Sequence, residues 1–352
     1  MRIAHIACIE LDTHTGMGRI ATNWKNAFEQ SGHTFIHIGR NEVSASHIFF
    51  WGYQALKFCE QNNITADVWL VHEPFSGFFT SMKGTLVLFS HGIEERCWKI
   101  NGFYQFEKRS LRASLVPIRL RFYAHRKGFR NADLCLLSNK SDIDFLKEKG
   151  IDEKKMCIFY NGYPTGKVST SNVTKGLNIL FNGSWIKRKG IDVLVQAMNH
   201  LLVDNDKITL TLAGTGASET EVLASFNLSV RSKIRVVPKF SESEEMELLN
   251  RAAIFLLPSF FEGQSVALTQ AMAYGLCPIV SNNSGQIDFV KDGHNGVVFE
   301  TGNSNDLIDK IGFLIENKYL IEAYGKNAIG TVSDLTWESV TKQLVKRIES
   351  LA

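Results

Sequence analysis

The sequence predicts an α/β protein with two doubly wound, Rossmann-like domains that face each other across a cleft, and three observations support this. Short apolar runs alternate with helix-like stretches in both halves of the chain, as in β-α-β units around a parallel sheet. Between residues 165 and 176 this alternation gives way to small polar residues, which indicates a linker. A length of 352 residues suits two domains of roughly 150 residues each.

The predicted elements follow in chain order. Five strands are expected in the first half, at residues 3–7, 34–38, 68–72, 85–90 and 134–138, with a helix at 20–31 after the first strand. Five more are expected in the second half, at residues 177–181, 209–213, 234–237, 254–257 and 278–281, with a helix from residue 191. Apolar residues after position 334 recur at helical spacing. We therefore predict an N-terminal domain over 1–168, a C-terminal domain over 169–333, and a final helix over 334–352 that packs towards the N-terminal domain.

Composition excludes several classes of protein. No apolar run in the sequence approaches the ~20 residues that span a bilayer. The first residues resemble a strand rather than a signal peptide, so we expect a cytoplasmic protein. The six cysteines form no CxxC pair and lack the spacing of a zinc site, which favours buried free thiols. Neither a metal nor another cofactor is expected.

A glycine turn follows the first predicted strand. Gly16 and Gly18 stand between that strand and a helix, where backbone N–H groups and the helix dipole favour an anion. The third glycine of a dinucleotide fingerprint is missing, which disfavours a nicotinamide oxidoreductase. Two interpretations stay open, a phosphate-binding turn and a tight turn without a ligand.

Two polar segments follow strands of the second predicted domain. Three consecutive cations occupy positions 187–189 after one strand, and a diphosphate leaving group needs such positive charge. Glu262 begins a glycine turn after another strand, and Gln270 lies eight residues later on the next helix. Ligands of open α/β sheets bind at the carboxyl ends of the strands. Both segments are therefore candidate site residues, with a solvated basic turn and a helix-capping acid as the alternatives.

At these residues the sequence resembles the retaining GT-B glycosyltransferases of glycosyltransferase family 4. The second domain matches the family's donor domain in order. The matching motifs are a glycine turn with a Lys-Gly pair at 183–190, Leu-Ala-Gly-Thr-Gly at 212–216, Pro-Ser-x-x-Glu-Gly at 258–263 and Asp-Gly-His-Asn-Gly at 292–296. The first domain offers Ser-His-Gly at 90–92. The resemblance covers nearly the whole chain.

The resemblance implies a function and a set of site residues. It implies metal-independent transfer of a hexose-type sugar, with retention, from a UDP- or GDP-type donor to a glycan or lipid-linked acceptor in cell-surface polysaccharide or glycoconjugate synthesis. The implied catalytic residues are His91 beside the sugar, Lys189 at the diphosphate and Glu262 at the sugar hydroxyls. The implied donor-binding residues are Gly16, Gly183, Ser184, Lys187, Arg188, Pro238, Lys239, Gly263, Gln264, Ser265 and Gln270.

Two positions depart from the family pattern. Ser184 stands where the family usually has Arg, and Gln270 replaces the second Glu of the Glu-x7-Glu motif. Arg188 or Lys187 can supply the missing cation from the same turn. The neutral amide of Gln270 forgoes a charge-assisted hydrogen bond, which weakens binding by about 1 kcal/mol. A nucleotide-sugar-binding module with weak turnover and a GT-B nucleotide-sugar epimerase therefore stay open as alternatives.

A basic segment lies in the first domain, which in this family holds the acceptor. Residues 108–130 contain eight Lys or Arg and no Asp or Glu, interleaved with apolar residues. Such a stretch suits an anionic membrane surface, although a solvated helix face explains it equally well. The residues assigned to this membrane or acceptor surface are Arg112, Arg119, Arg121, Arg126 and Lys127. No nucleic-acid-binding module accompanies the segment, and His72 is expected to be a buried structural histidine.

Overall fold

A computed structural model describes most of the chain. It covers residues 1–12, 15–45, 48–105, 111–164, 177–203 and 205–351, with the main chain alone at residue 49 and at the helical residues within 100–120. Contacts divide the chain into two compact units, Met1–Gly162 with Trp337–Ala352, and Tyr163–Thr336. The predicted linker at 165–176, with the predicted domain boundary inside it, lies outside the described residues.

The first unit contains a parallel sheet of six strands. They are β1 (Arg2–Ile6), β2 (Thr34–Ile38), β3 (Val68–His72), β4 (Thr85–Ser90), β5 (Leu134–Leu137) and β6 (Met156–Ile158). Their order across the sheet is β2-β1-β3-β4-β5-β6. Strand β3 is buried along its whole length, because a parallel sheet is covered on both faces.

Five described helices accompany this sheet. They are α1 (Gly16–Gln30), α2 (Ile48–Gln61), α3 (Glu94–Gln105), α4 (Leu111–Asn131) and α5 (Lys140–Glu148). Helix α1 buries Ile20, Trp24 and Phe28, which share one face because they recur every four residues. Thr15 caps its N-terminus, since the Thr15 side chain accepts a hydrogen bond from the Gly18 N–H.

The second unit contains another parallel sheet of six strands. They are β7 (Leu177–Asn182), β8 (Ile208–Ala213), β9 (Ile234–Val237), β10 (Ile254–Leu257), β11 (Cys277–Ser281) and β12 (Val297–Phe299). Their order is β12-β11-β10-β7-β8-β9. From β7 the chain builds outward to β9, then returns to β10 and builds outward in the other direction. The strand order therefore reverses between β7 and β10, and ligands of open α/β sheets bind at such a switch point.

The described helices of the second unit lie between and after these strands. They are α6 (Ile191–Val203), α7 (Glu219–Ala224), α8 (Glu242–Arg251), α9 (Val266–Ala273), α10 (Ser284–Ile287), α11 (Ser304–Glu316) and α12 (Lys318–Val332). Helix α8 begins with a capping box, in which Ser241 and Glu244 each bond the other's backbone N–H. The hydrophobic core of this unit surrounds Phe181, Leu194 and Leu210, all fully buried.

The last helix, α13 (Trp337–Glu349), groups with the first unit. It packs against α1 and buries Val340, Leu344 and Ile348 at helical spacing. His33 Nε2, just before β2, lies 3.0 Å from Oε1 of Glu349, the last residue of α13. The chain therefore returns to its first unit after completing the second.

The predicted α/β class, with two doubly wound parallel sheets, is confirmed. Predicted and observed strands coincide at 34–38, 68–72, 85–90, 234–237 and 254–257, and the other predicted strands differ by one residue at one end or, for the first strand, at both ends. The prediction omits β6 and β12. Each has three residues and lies at a sheet edge, and such a short run has too few positions to show a strand pattern.

Candidate functional site

Two loops meet at the switch point of the second sheet. Strands β7 and β10 are neighbours, and the loops that follow them carry Lys189 and Glu262 respectively. The Lys189 ammonium donates a hydrogen bond to Glu262 Oε1 over 2.7 Å. Arg188 Nη1 lies 3.6 Å from the other carboxylate oxygen, Oε2. The structure thus brings together the two segments that the sequence indicates as candidate site residues.

Main-chain contacts join the same two loops. Residues Lys187–Lys189 form a short 3-10 helix that ends at Gly190, whose φ of 73° is left-handed. A Cβ at Gly190 would collide with the carbonyl oxygen of Pro258, so glycine is required by both conformation and space. Phe260 N donates to Arg188 O over 2.9 Å. The ion pair therefore lies on two loops whose backbones are also bonded to each other.

This site has an excess of positive charge. Burial opposes the ionisation of Glu262, but the charges of Lys189 and Arg188 outweigh it and lower the pKa of this carboxyl. Glu262 is therefore an anion at neutral pH. Two cations pair with this one carboxylate, and Lys187 adds a third positive charge on the exposed side of the same turn. The remaining positive charge suits an anionic ligand such as a diphosphate.

The loops after β8 and β9 lie beside the loop after β7, along the edge formed by the carboxyl ends of the strands. A hydrogen bond of 3.1 Å from Gly216 N to Pro238 O joins them. Lys239 follows Pro238 and has an exposed side chain, as does Ser184 in the loop after β7. The strand order therefore places Gly183, Ser184, Pro238 and Lys239 along one edge, in line with the ion pair.

Helix α9 follows the acidic loop. Ser265 caps it, because Ser265 Oγ accepts a hydrogen bond from Leu268 N over 3.3 Å. Gly263 is buried and Gln264 half-buried. Gln270 is 1% exposed, and its Nε2 has no hydrogen-bond partner among the described residues. An unpaired buried donor is unfavourable, so a ligand oxygen would be stabilised at this amide.

A buried polar network supports the loop that carries Glu262, and its residues were not singled out from the sequence. Asn283 Nδ2 donates to Ser259 O over 2.6 Å, and Gln286 Nε2 donates to the last carbonyl of β10 over 2.8 Å. A Cβ at Gly285 would collide with the carbonyl oxygen of Glu262. Helix α10 thus packs directly against the backbone of this loop. The sequence does contain a signal for this network, because a run of polar residues directly follows β11, at the carboxyl end of a strand.

In the first unit, the predicted glycine turn begins α1. Gly16 is the first residue of the helix and is exposed. Asp12 accepts hydrogen bonds from Thr15 N over 2.6 Å and from Thr15 Oγ1 over 2.9 Å. A Cβ at Gly18 would collide with the Asp12 carboxylate. An acidic side chain therefore closes the turn, a feature that the glycine pattern does not predict.

His91 lies just after β4 in the first unit. Burial lowers the pKa of its imidazole to about 4, so the ring is neutral at physiological pH. Its Nε2 is buried and has no hydrogen-bond partner among the residues that the structure describes. Such a nitrogen can bind a neutral hydroxyl group. His72 is buried and bonded to His5 over 3.0 Å, which confirms the prediction of a structural histidine.

The structure corrects part of the predicted basic surface. Arg121 points inward, with its side chain 12% exposed, and its Nε donates to Glu94 Oε2 over 2.7 Å. The assignment of Arg121 to the membrane or acceptor surface is therefore wrong, because its guanidinium is paired with Glu94 inside the unit. The side chains of Arg112 and Arg119 lie outside the described residues.

The remaining part of α4 has an exposed cationic stripe. Tyr123 is 69% exposed, and Lys127 and Arg130 are exposed beyond it at spacings of four and three residues, which places them on one helix face. Arg126 joins this face but also pairs with Glu95 over 2.7 Å. The stripe thus combines one aromatic ring with three cations.

The described residues lack two kinds of feature, a metal site and a membrane-spanning helix. They contain no group of three or more His, Cys, Asp or Glu side chains that could hold a metal ion. None of the helices in these residues combines the length and the apolar character needed to cross a bilayer.

Solved glycosyltransferases share this fold. The chain is similar to WaaG, a glycosyltransferase involved in lipopolysaccharide biosynthesis, with a TM-score of 0.80 and 17% identity over 98% of this chain and 99% of WaaG. It is also similar to HepE from Anabaena, solved with UDP and glucose, with a TM-score of 0.73 and 14% identity over 99% of this chain and 100% of HepE. The fold is the GT-B fold of glycosyltransferases, as the sequence predicts.

Sequence comparison adds a family match for the second unit. Residues 167–331 match the family described as Glycosyl transferases group 1. The N,N'-diacetylbacillosaminyl-diphospho-undecaprenol alpha-1,3-N-acetylgalactosaminyltransferase of Campylobacter jejuni is 26% identical over 219 residues, which are 58% of this chain and 57% of that relative. The chain thus spans little more than half of that relative. The predicted resemblance to glycosyltransferases is confirmed, and the narrower assignment to family 4 stays a prediction.

Proposed function

We propose that this protein is a retaining hexosyltransferase that uses a nucleotide-diphosphate sugar of the UDP or GDP type and a glycan or lipid-linked acceptor, in cell-surface polysaccharide or glycoconjugate synthesis. One observation carries the proposal. Lys189, Arg188 and Glu262 meet at the switch point of the second sheet, within the residues that match the glycosyltransferase family. The structure of HepE with UDP and the diphospho-undecaprenol in the name of the Campylobacter relative support the substrate classes.

In the proposed reaction the bond between the anomeric carbon and the diphosphate oxygen breaks. The acceptor oxygen bonds to that carbon on the same face, and its proton passes to the departing diphosphate. Lys189 and Arg188 stabilise the growing negative charge, which is why the proposal needs no metal. A carboxylate has about four lone-pair sites, so Glu262 can bind sugar hydroxyls while it stays paired with Lys189. Neutral His91 borders the sugar, and the Gln270 amide donates to the ribose.

Nucleotide binding gives the first test. The thermal unfolding of the protein is measured with UDP, GDP, ADP and inorganic diphosphate. One of UDP or GDP is expected to raise the melting temperature, because a ligand at about 100 times its Kd adds roughly 2.7 kcal/mol to the free energy of unfolding. No shift with any nucleotide, or an equal shift with all four anions, contradicts the proposal.

Turnover with the matching sugar nucleotides separates the proposal from its alternatives. A transferase forms a glycosidic bond with the donor's anomeric configuration, which NMR of the product reads directly. A binding module gives a thermal shift without hydrolysis or transfer. An epimerase changes the donor sugar with no acceptor present. Ser184→Arg and Gln270→Glu, which restore the family pattern, should raise turnover if the two departures weaken the enzyme.

We also propose that the stripe on α4 contacts an anionic membrane at its cytoplasmic face. An exposed tyrosine beside Lys127 and Arg130 suits a membrane interface, because aromatic side chains lie at the level of the headgroups and anionic lipids attract cations. Flotation with vesicles of phosphatidylglycerol, at low salt, should retain the protein, and vesicles of phosphatidylcholine should not. Lys127→Glu with Arg130→Glu should abolish retention without changing the thermal shift by nucleotide. Equal flotation of wild type and variant contradicts this surface.

A further inference from the structure

Three histidines of the first sheet form a hydrogen-bonded row. His5 of β1 and His37 of β2 are paired in the strand register, and their Nδ1 atoms lie 2.9 Å apart. His5 Nε2 lies 3.0 Å from His72 Nε2 on β3. The row begins at the backbone, because His37 Nε2 lies 3.2 Å from the carbonyl oxygen of Ile9, in the loop after β1.

Burial keeps the row neutral. It lowers the pKa of His5, His37 and His72 below that of free histidine, and neighbouring histidines lower those of His5 and His72 further. Two other charged groups act on His37, Glu42 in favour of its charge and Lys25 against it. A neutral imidazole has one N–H donor and one bare acceptor nitrogen.

These constraints fix every proton in the row. A carbonyl oxygen only accepts, so His37 Nε2 carries the proton that bonds to Ile9 O. His37 Nδ1 is then bare, and His5 Nδ1 must donate to it. His5 Nε2 is bare in turn, and His72 Nε2 must donate to it. The tautomers are therefore Nε2–H, Nδ1–H and Nε2–H for His37, His5 and His72, and one backbone carbonyl sets the direction of all three.

The row ends against His91. The rings of His72 and His91 are packed edge to face, with centroids 4.8 Å apart, and Phe89 packs on His91 at 4.5 Å from another side. Trp24 of α1 covers the row, with its ring 5.8 Å from His5 and 6.3 Å from His72. His91 thus lies against a ring whose orientation depends on two hydrogen bonds further along the sheet.

We propose that the Ile9–His37–His5–His72 row is a proton-ordered scaffold that positions His91 at the carboxyl end of β4. The part that concerns catalysis rests on the proposed function, in which His91 borders the donor sugar. His5, His37 and His72 are positioning residues, since they act through His91. The tautomer of His37, which lies on the opposite side of β1 from His72, thus helps to determine the position of His91.

The full-length protein labelled with ¹⁵N-histidine tests the scaffold by ring ¹⁵N NMR at pH 7.5. The wild type should show three neutral rings in the tautomers given above. His37→Leu removes the anchor to Ile9, so His5 and His72 should populate the opposite tautomers and the His91 ring resonances should move. His37→Asn offers Oδ1 in place of Nδ1 and should restore the wild-type order. His200→Leu, an exposed histidine of α6, is the matched control and should change none of these signals.

The outcomes decide the proposal without requiring activity. A different tautomer in the wild type, or unchanged His5, His72 and His91 signals in His37→Leu, overturns it. Where sugar transfer is measured, His37→Leu should lower kcat about tenfold with little change in the KM for the donor, and His37→Asn should recover most of it. Equal kcat in wild type and His37→Leu overturns the positioning role. A wild type without transfer contradicts the proposed function, while the NMR result still decides the scaffold.

Discussion

At the scale of single residues, the Lys189–Glu262 pair has two roles, one in stability and one in the proposed reaction. Lys189 is 15% exposed and stabilises a buried carboxylate, and in the proposed reaction it also stabilises the diphosphate. We expect Lys189→Ala to lower kcat/KM by about 10² to 10³ and to lower the melting temperature, because Glu262 loses its closest cation. Lys187→Ala, on the exposed side of the same turn, should keep the wild-type melting temperature.

Both variants are measured by donor kinetics and thermal unfolding. A Lys189→Ala variant with wild-type kcat/KM removes Lys189 from the mechanism. A Lys189→Ala variant with wild-type stability shows that Arg188, 3.6 Å from Glu262, is a sufficient partner.

Gly190 provides a second test at this scale, with its own control. Gly190 and Gly216 both have left-handed φ angles, of 73° and 66°, but a Cβ at Gly190 would collide with Pro258 O and one at Gly216 meets nothing within 4 Å. Gly216→Ala should therefore cost only the backbone strain, about 1 kcal/mol. Gly190→Ala should cost at least twice that and separate the two loops of the site. Urea unfolding measures both, and equal losses would show that the collision is relieved without cost.

At the scale of elements, a buried histidine helps to attach α4 to its unit. His125 Nδ1 lies 3.3 Å from Glu73 Oε1 and its Nε2 lies 3.1 Å from Glu94 Oε2. Burial opposes a charge on this ring, but the two carboxylates outweigh it and raise the pKa of His125 to about 9. The helix is thus held by a buried cation between two anions, at a position within the segment that the sequence presents as a basic surface.

This attachment predicts a stability loss at alkaline pH. The folded pKa of His125 lies above the unfolded value of about 6.5, so its contribution is fully present below pH 6.5 and is lost as the pH rises towards 9. The difference in free energy of unfolding between wild type and His125→Gln should shrink across this window, by on the order of 3 kcal/mol. Urea unfolding at pH 6 and pH 9 measures it. His200→Gln should show no such difference, and a constant gap for His125→Gln would contradict the charge.

The elements also show what the sequence can predict here. The strands at 68–72 and 254–257 are predicted to the residue, because each short apolar run is followed by a proline-containing pair, Glu73-Pro74 or Pro258-Ser259. The meeting of the 187–189 and 262 loops was predicted because both follow strands, and ligands of open α/β sheets bind at the carboxyl ends of strands. The sequence did not predict the direction in which each cationic side chain of α4 points. Arg121 looks like its cationic neighbours in the sequence, and only its place opposite Glu94 turns it inward.

At the scale of the whole molecule, α13 should stabilise the first unit alone. Leu344 is 1% exposed, and the helix packs against α1, so Leu344→Ala should lower the stability of that unit by about 3 kcal/mol. Gln343→Ala, its exposed neighbour, is the control and should have little effect. Hydrogen exchange should accelerate in β1 and α1 and stay unchanged in β7 and β10. Equal acceleration in both sheets would show that the units unfold together.

The return of α13 to the first unit has a consequence for synthesis. A ribosome makes residues 163–336, the whole of the second unit, before it makes the helix that α1 packs against. Domains usually fold in the order in which they emerge, but here the one that starts first is completed last. While the second unit is being translated, α1 lacks the helix that packs against it, and the nascent chain carries an incomplete apolar surface until α13 leaves the exit tunnel.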